Sequence, residues 1–140
     1  MKILALDLGD QWIGTALSDA SLILARPHKT VTLAQLTNFL EDLFKQEEID
    51  TVVVGYPQTL RGTESDQTKK IIVLKTQLEA QFTEQTWVFW DERLSSKHAQ
   101  TLGKQGQKKD KLDVHSKAAA IILDAYMMHL RFKAENNISF

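Results

Sequence analysis

The chain opens with two short apolar runs joined by a polar break. Ile3 to Leu6 ends on Asp7, Gly9 follows two residues later, and Trp12 to Leu17 forms the second run with Gly14 inside it. Runs of this length bounded by turn residues read as buried strands. Gly9 between them permits a tight reversal, since glycine bears no steric penalty at positive φ. Ser21 to Val31 supplies a third short strand, with Pro27 suited to its end or to a sheet edge. At Thr32 the period changes. Thr32 and Gln35 have the spacing of a capping box, and Leu33, Leu36, Leu40, Leu43 and Phe44 mark one face of a helix down to about Glu48.

Thr51 to Gly55 (TVVVG) reads as a strand buried on both faces of an α/β sheet. A polar loop, Gln58 to Asp66, precedes a helix over Ser65 to Phe82, whose apolar positions are Ile71, Leu74, Leu78 and Phe82. The fifth strand, Trp87 to Trp90, ends on Asp91, Glu92 and Arg93. Ser95 or Ser96 caps a short helix to Leu102, Gly103–Leu112 is a basic loop, and a last helix covers Asp113 to Phe132. This order predicts an α/β fold in a single domain, residues 1–140. Its mixed five-stranded sheet is an antiparallel three-strand meander plus parallel strands, with helices on both faces.

Composition narrows the chemistry. With 43% apolar and 25% charged residues the chain is an ordinary soluble globular protein. It has no cysteine, which excludes disulfides, thiolate catalysis and thiolate zinc sites. The start lacks a signal pattern and no apolar run is long enough to span a bilayer, so a cytoplasmic location and no membrane partner are expected. A net charge of −1 rules out a uniformly basic nucleic-acid binder. Cations are concentrated locally instead: Thr101–Lys117 holds five lysines (Lys104, Lys108, Lys109, Lys111 and Lys117) against two aspartates. Such a segment suits phosphate contacts, or is a solvated loop.

Two strands end on carboxylates, Asp7 and the pair Asp91–Glu92. Carboxylates fixed on rigid strands suit Mg²⁺, and two such ions about 4 Å apart activate a water and stabilise a leaving oxygen. Strand alternation puts Trp87, Phe89 and Asp91 on one side and Val88, Trp90 and Glu92 on the other, so one acid of the pair faces the metals. A solvated strand end, with Asp91 capping a turn, is the plain structural alternative. Trp87, Phe89 and Trp90 read as core residues rather than stacking platforms for bases.

The combination of ALDLG with IGTALSD, VVVGYP followed by GTE, DERLSS and AAAIILDAYM resembles the YqgF family of Holliday-junction-resolvase-like proteins, also described as pre-16S ribosomal RNA nucleases, with a ribonuclease H-like fold. The resemblance covers essentially the whole chain, with the motifs in the family's order. It implies that Asp7 is the first-strand metal ligand and Glu92 the second acid. It further implies that Arg93, Ser95 and Ser96 hold the substrate backbone or the strand end, and that Thr63–Glu64 lines the same edge. The family's third acid, three residues before the Ala118–Ala119 pair, is here His115. Imidazole suits Mn²⁺ better than Mg²⁺. Asp113 is the alternative, either as a ligand or as the helix N-cap. Gln11 and Trp12 replace a basic pair of the family, and Thr59 and Arg61 depart from its loop.

The resemblance therefore implies a nuclease dependent on Mg²⁺ or Mn²⁺, with Asp7, Glu92, His115 and Asp113 as candidate catalytic or metal-binding residues. Arg93, Lys108, Lys109 and Lys111 are the candidate substrate contacts. The expected partner is nucleic acid, either pre-16S rRNA or branched DNA, with the ribosome as a further partner and a monomer or homodimer as the working form. A non-catalytic RNA- or ribosome-binding module is the competing class. A two-domain sugar-kinase-like ATPase is disfavoured, because the chain has no second phosphate-binding hairpin.

Overall fold

The computed structural model describes residues 1–9, 11–56, 66–91 and 111–135. Its strands are β1 (Lys2–Leu8), β2 (Trp12–Ser18), β3 (Ala25–Thr32), β4 (Ile49–Tyr56) and β5 (Thr86–Asp91). The helices are α1 (Leu33–Gln46), α2 (Asp66–Gln81) and α3 (Lys111–Glu135). The strands form one sheet in the order β3-β2-β1-β4-β5. β1–β2 and β2–β3 pair antiparallel, and β1–β4 and β4–β5 pair parallel, as the sequence pattern predicts.

Alternation along β1 and β4 divides the core into two layers. Leu4, Leu6, Leu8, Val52 and Val54 pack with Leu36, Leu40 and Leu43 of α1 and with Ile71 and Leu78 of α2. Ile3, Ala5, Ala16 and Val53 pack with Ala119, Ile122, Leu123 and Met127 of α3 on the other face. Each Leu, Ile, Val or Met side chain among these contributes about 1.5–3 kcal/mol when withdrawn from water. Leu33 departs from the expected helical face: at the first position of α1 it is 48% exposed.

Polar side chains close the irregular points of the sheet. The β2–β3 register shifts between Gly14 and Ala16. There Thr15 Oγ1 donates to the Lys29 carbonyl at 2.6 Å and accepts from the Lys29 amide at 2.9 Å. The shift between Lys2 and Ile3 is met by the Ile3 amide donating to Ser18 Oγ at 2.8 Å. Thr32 and Gln35 form the expected capping box, with the Gln35 amide donating to Thr32 Oγ1 and the Thr32 amide to Gln35 Oε1.

Three local expectations are corrected. β3 begins at Ala25 rather than near Ser21, because the Asp19 carboxylate holds a turn by accepting from the Ile23 and Leu24 amides. Leu22 in that turn takes φ 58°, and the Leu24 hydrogen bond is the main cause holding the Asp19 pKa below its ordinary value. Gly9 does not adopt a positive φ; what it supplies is room, since an added Cβ would lie 2.7 Å from the Trp12 carbonyl oxygen. The last helix already runs at Lys111, so Lys111 lies in α3 and not in a loop, and Asp113 is not its N-cap. Among the described residues no helix is long and apolar enough to cross a membrane.

Candidate active site

Asp7 has the parity of Ile3 and Ala5, which places it on the α3 face at the C-terminal end of β1. In register it lies opposite Gly14 of β2 and Gly55 of β4, and Gly55 lies opposite Trp90 of β5. The row across the sheet is therefore Gly14, Asp7, Gly55, Trp90. Neither strand neighbour of Asp7 carries a side chain, so this half-buried carboxylate stands on a floor of backbone. It also sits at the carboxyl ends of parallel strands, where open α/β sheets place their ligands.

Helix α3 comes down onto this floor. A Cβ at Gly14 would overlap the carbonyl of His115 and lie 2.8 Å from the Ser116 amide nitrogen. Small and aliphatic residues accompany the approach: Ser116, next to His115, and Ala119 and Leu123, one and two turns on, are buried. His115 itself is half-buried, and its backbone rests on the direct strand partner of Asp7. The two sequence candidates, Asp7 and His115, are thus brought to one corner of the sheet. Asp113 is on the same continuous helix, two residues before His115 and so about 200° from it around the axis.

On β5, Trp90 packs in the α3 layer while Trp87 and Phe89 pack against the α1/α2 layer, as expected for core aromatics. Asp91 follows the parity of Trp87 and Phe89 and lies on the face away from Asp7. The Trp90 ring meets Tyr126 and His129 edge-on, at 5.5 and 5.4 Å. Its buried indole N–H has no hydrogen-bond partner among the described residues. Burial, and then the Asp50 charge, raise the pKa of Tyr126.

Glu92, Arg93, Ser95, Ser96, Lys104, Lys108 and Lys109 lie outside the described residues, as do Thr59, Arg61, Thr63 and Glu64. Among the described residues no three His, Cys, Asp or Glu side chains group closely enough to hold a metal ion. Asp7 offers a carboxylate oxygen and His115 an imidazole nitrogen, donor chemistry of the kind that divalent metal ions accept.

The part played by Gly14 and Gly55 emerges from the strand pairing. The signal was present: an isolated glycine in a strand marks a close approach of another backbone or a ligand, and here both glycines flank the one acid of β1.

A family model, RuvX, described as Holliday junction resolvase, matches residues 1–129. A "Putative pre-16S rRNA nuclease" of Rubrobacter xylanophilus is 36% identical over 127 residues, covering 90% of this chain and 91% of that protein. A relative of the same name from Carboxydothermus hydrogenoformans is 34% identical over 142 residues, covering 97% and 100%. Among solved structures, T. thermophilus RuvC in complex with Holliday junction substrate aligns with a TM-score of 0.65 at 17% identity, over 94% of this chain and 96% of that one. Another Thermus thermophilus RuvC structure gives 0.57 at 13% identity, over 94% and 97%. At those identities the likeness is one of fold, and that fold is ribonuclease H-like.

Proposed function

This chain belongs to the RuvX family, and on that premise we propose that it is a nuclease that hydrolyses phosphodiester bonds in the precursor of 16S ribosomal RNA. The observation that carries the reading is the row Gly14–Asp7–Gly55, with the start of α3 seated beside it. A carboxylate on a rigid strand, flanked in the ladder by glycines on both sides, leaves room there for a phosphate and a hydrated cation.

In this reading Asp7, His115 and Glu92 hold a divalent ion, Mg²⁺ or Mn²⁺. When bound, the ion polarises the phosphoryl oxygen and lowers the pKa of a water. Asp7 fixes the position from β1, and the backbone contact at Gly14 sets where His115 stands. Arg93, Lys108, Lys109 and Lys111 neutralise backbone phosphates on either side of the cut. Asp113, on the same helix, is the alternative third ligand. The protein works as one domain in the cytoplasm, where the ribosomal precursor is its partner.

The likeness of fold to RuvC supports a second substrate, branched DNA. Cutting both strands of a junction requires two sites, hence a homodimer. The deciding experiment is cleavage of end-labelled pre-16S RNA and of a four-way junction, with Mg²⁺ and then Mn²⁺, by the parent and by Asp7→Asn. RNA cleavage lost in Asp7→Asn is the expected result. Paired nicks in the junction alone would transfer the reading to DNA. Tight RNA binding without cleavage under either metal would overturn the enzyme in favour of a binding module.

A further inference from the structure

The face of the sheet opposite Asp7 carries a groove of about 560 Å³. Leu8 and Gly9 at the end of β1 and Ile71, Leu74 and Gln77 of α2 are among the residues that line it. Two apolar side chains on its walls face water, Leu33 at 48% and Val73 at 56% exposure. Lys69 and Lys70, both exposed, stand among its lining residues, and none of the described residues lining it is acidic. The volume is in the range of sites that take small organic ligands.

Its chemistry is that of an amphipathic anion: a flat apolar body for the aliphatic walls and negative charge for two ammonium groups. Its place adds the rest. Asp7 and Leu8 are consecutive residues on opposite faces of one strand end, so the groove begins where the candidate active site stops. A nucleic-acid strand bound at Asp7 and continuing over this end of β1 would reach the groove. We infer that the groove is a subsite for a nucleotide flanking the scissile phosphodiester, its base or sugar against Leu33, Val73 and Leu74 and its phosphates against Lys69 and Lys70. The assignment rests on the nuclease reading, since it takes Asp7 as the reacting centre.

The test uses the full chain with Asp7→Asn, which is expected to bind without cutting, labelled at Ile, Leu and Val methyls. It is titrated with a single-stranded RNA of about 12 nucleotides, within the range of site sizes of strand-binding folds. Methyl shifts at Leu33, Val73 and Leu74 are expected. Adding Lys69→Gln and Lys70→Gln should lower the slope of log affinity against log salt by about 1.4, two phosphate contacts on a single strand. Val73→Asp should weaken binding about tenfold, or 1.4 kcal/mol, while all variants keep the parent's methyl spectrum before titration.

If RNA binds, the groove methyls stay unmoved and the double lysine variant keeps the parental slope, the subsite is wrong and the nuclease reading survives. If neither RNA nor a four-way junction binds, both fall. If the groove methyls shift with protein concentration alone, the groove is a contact between copies and the subsite is overturned.

Discussion

The carbonyl oxygen of His115 lies where Gly14 would carry a Cβ, so helix α3 and strand β2 meet backbone to backbone. Gly14 is also the antiparallel partner of Asp7. The spacing between the two candidate ligands is therefore set by main-chain contact, not by flexible side chains. A glycine within a strand costs roughly 0.5–1 kcal/mol of conformational entropy relative to alanine. Here that loss admits the helix to the edge of the site.

Gly14→Ala is expected to destabilise the fold by about 1–3 kcal/mol, the usual cost of overpacking. The methyl group would meet the carbonyl of His115 and the Ser116 amide, both backbone, so neither can swing aside as a side chain would. Activity should fall further than stability does, because the first turns of α3 must lift away from Asp7. Urea denaturation beside the cleavage assay separates the two effects. Equal activity in the folded variant would show that the placement of His115 is immaterial.

His115→Asp tests the third ligand. An imidazole favours Mn²⁺, whereas a carboxylate suits Mg²⁺. The parent should therefore cut faster with Mn²⁺, and the variant should move the Mg²⁺-to-Mn²⁺ rate ratio by about 10- to 100-fold, the size of effect that changes around a metal site produce. An unchanged ratio would remove His115 from the site and leave Asp113 to be tested in its place.

The two-layer core was legible because each element carries its own period: alternation in β1, and spacings of three and four residues in α1. The capping box at Thr32 is local chemistry and was equally readable. Leu33 was misplaced because one helical turn of apolar residues does not say which of them meets the sheet. The start of α3 is hidden in the sequence by the lysine run, whose charge pattern resembles a loop, although Lys111, Leu112 and Asp113 continue a helix readily. In the site, Asp7 was legible as an apolar run ending on an acid. The glycine row was not, because register between β1, β2 and β4 is a property of pairing and no single segment contains it.

Thr15→Val should cost about 0.5–1.5 kcal/mol despite conserving shape. Thr15 is fully buried and its hydroxyl serves both the amide and the carbonyl of Lys29, where the β2–β3 ladder skips a register. Valine would leave those part-buried edge-strand groups without that partner, at the net cost of a lost hydrogen bond. Hydrogen exchange should show the Lys29 amide losing protection before those of β1. If its protection is unchanged, water has taken the place of the hydroxyl.

His28 on β3 gives the fold a pH dependence whose sign can be worked out. Although His28 lies exposed on the edge strand, partial desolvation of its ring, followed by the Lys29 charge, lowers its pKa from 6.5. The Glu47 charge acts in the opposite sense, so the effect on stability is small. Its ring stands 5.8 Å from that of Phe39. Between the folded value and 6.5 the unfolded chain binds more protons than the folded one, so stability falls as pH drops through that window and is fully present above it. Asp19, whose folded pKa is also lowered, loses its contribution only as pH falls below 3.8, so the two groups act in separate ranges. Urea midpoints measured from pH 7.5 to pH 5 should therefore decline in the parent and decline less in His28→Gln, which cannot titrate. Parallel declines in the two proteins would place the acid sensitivity elsewhere, and a steeper decline in the variant would mean that protonated His28 stabilises the fold.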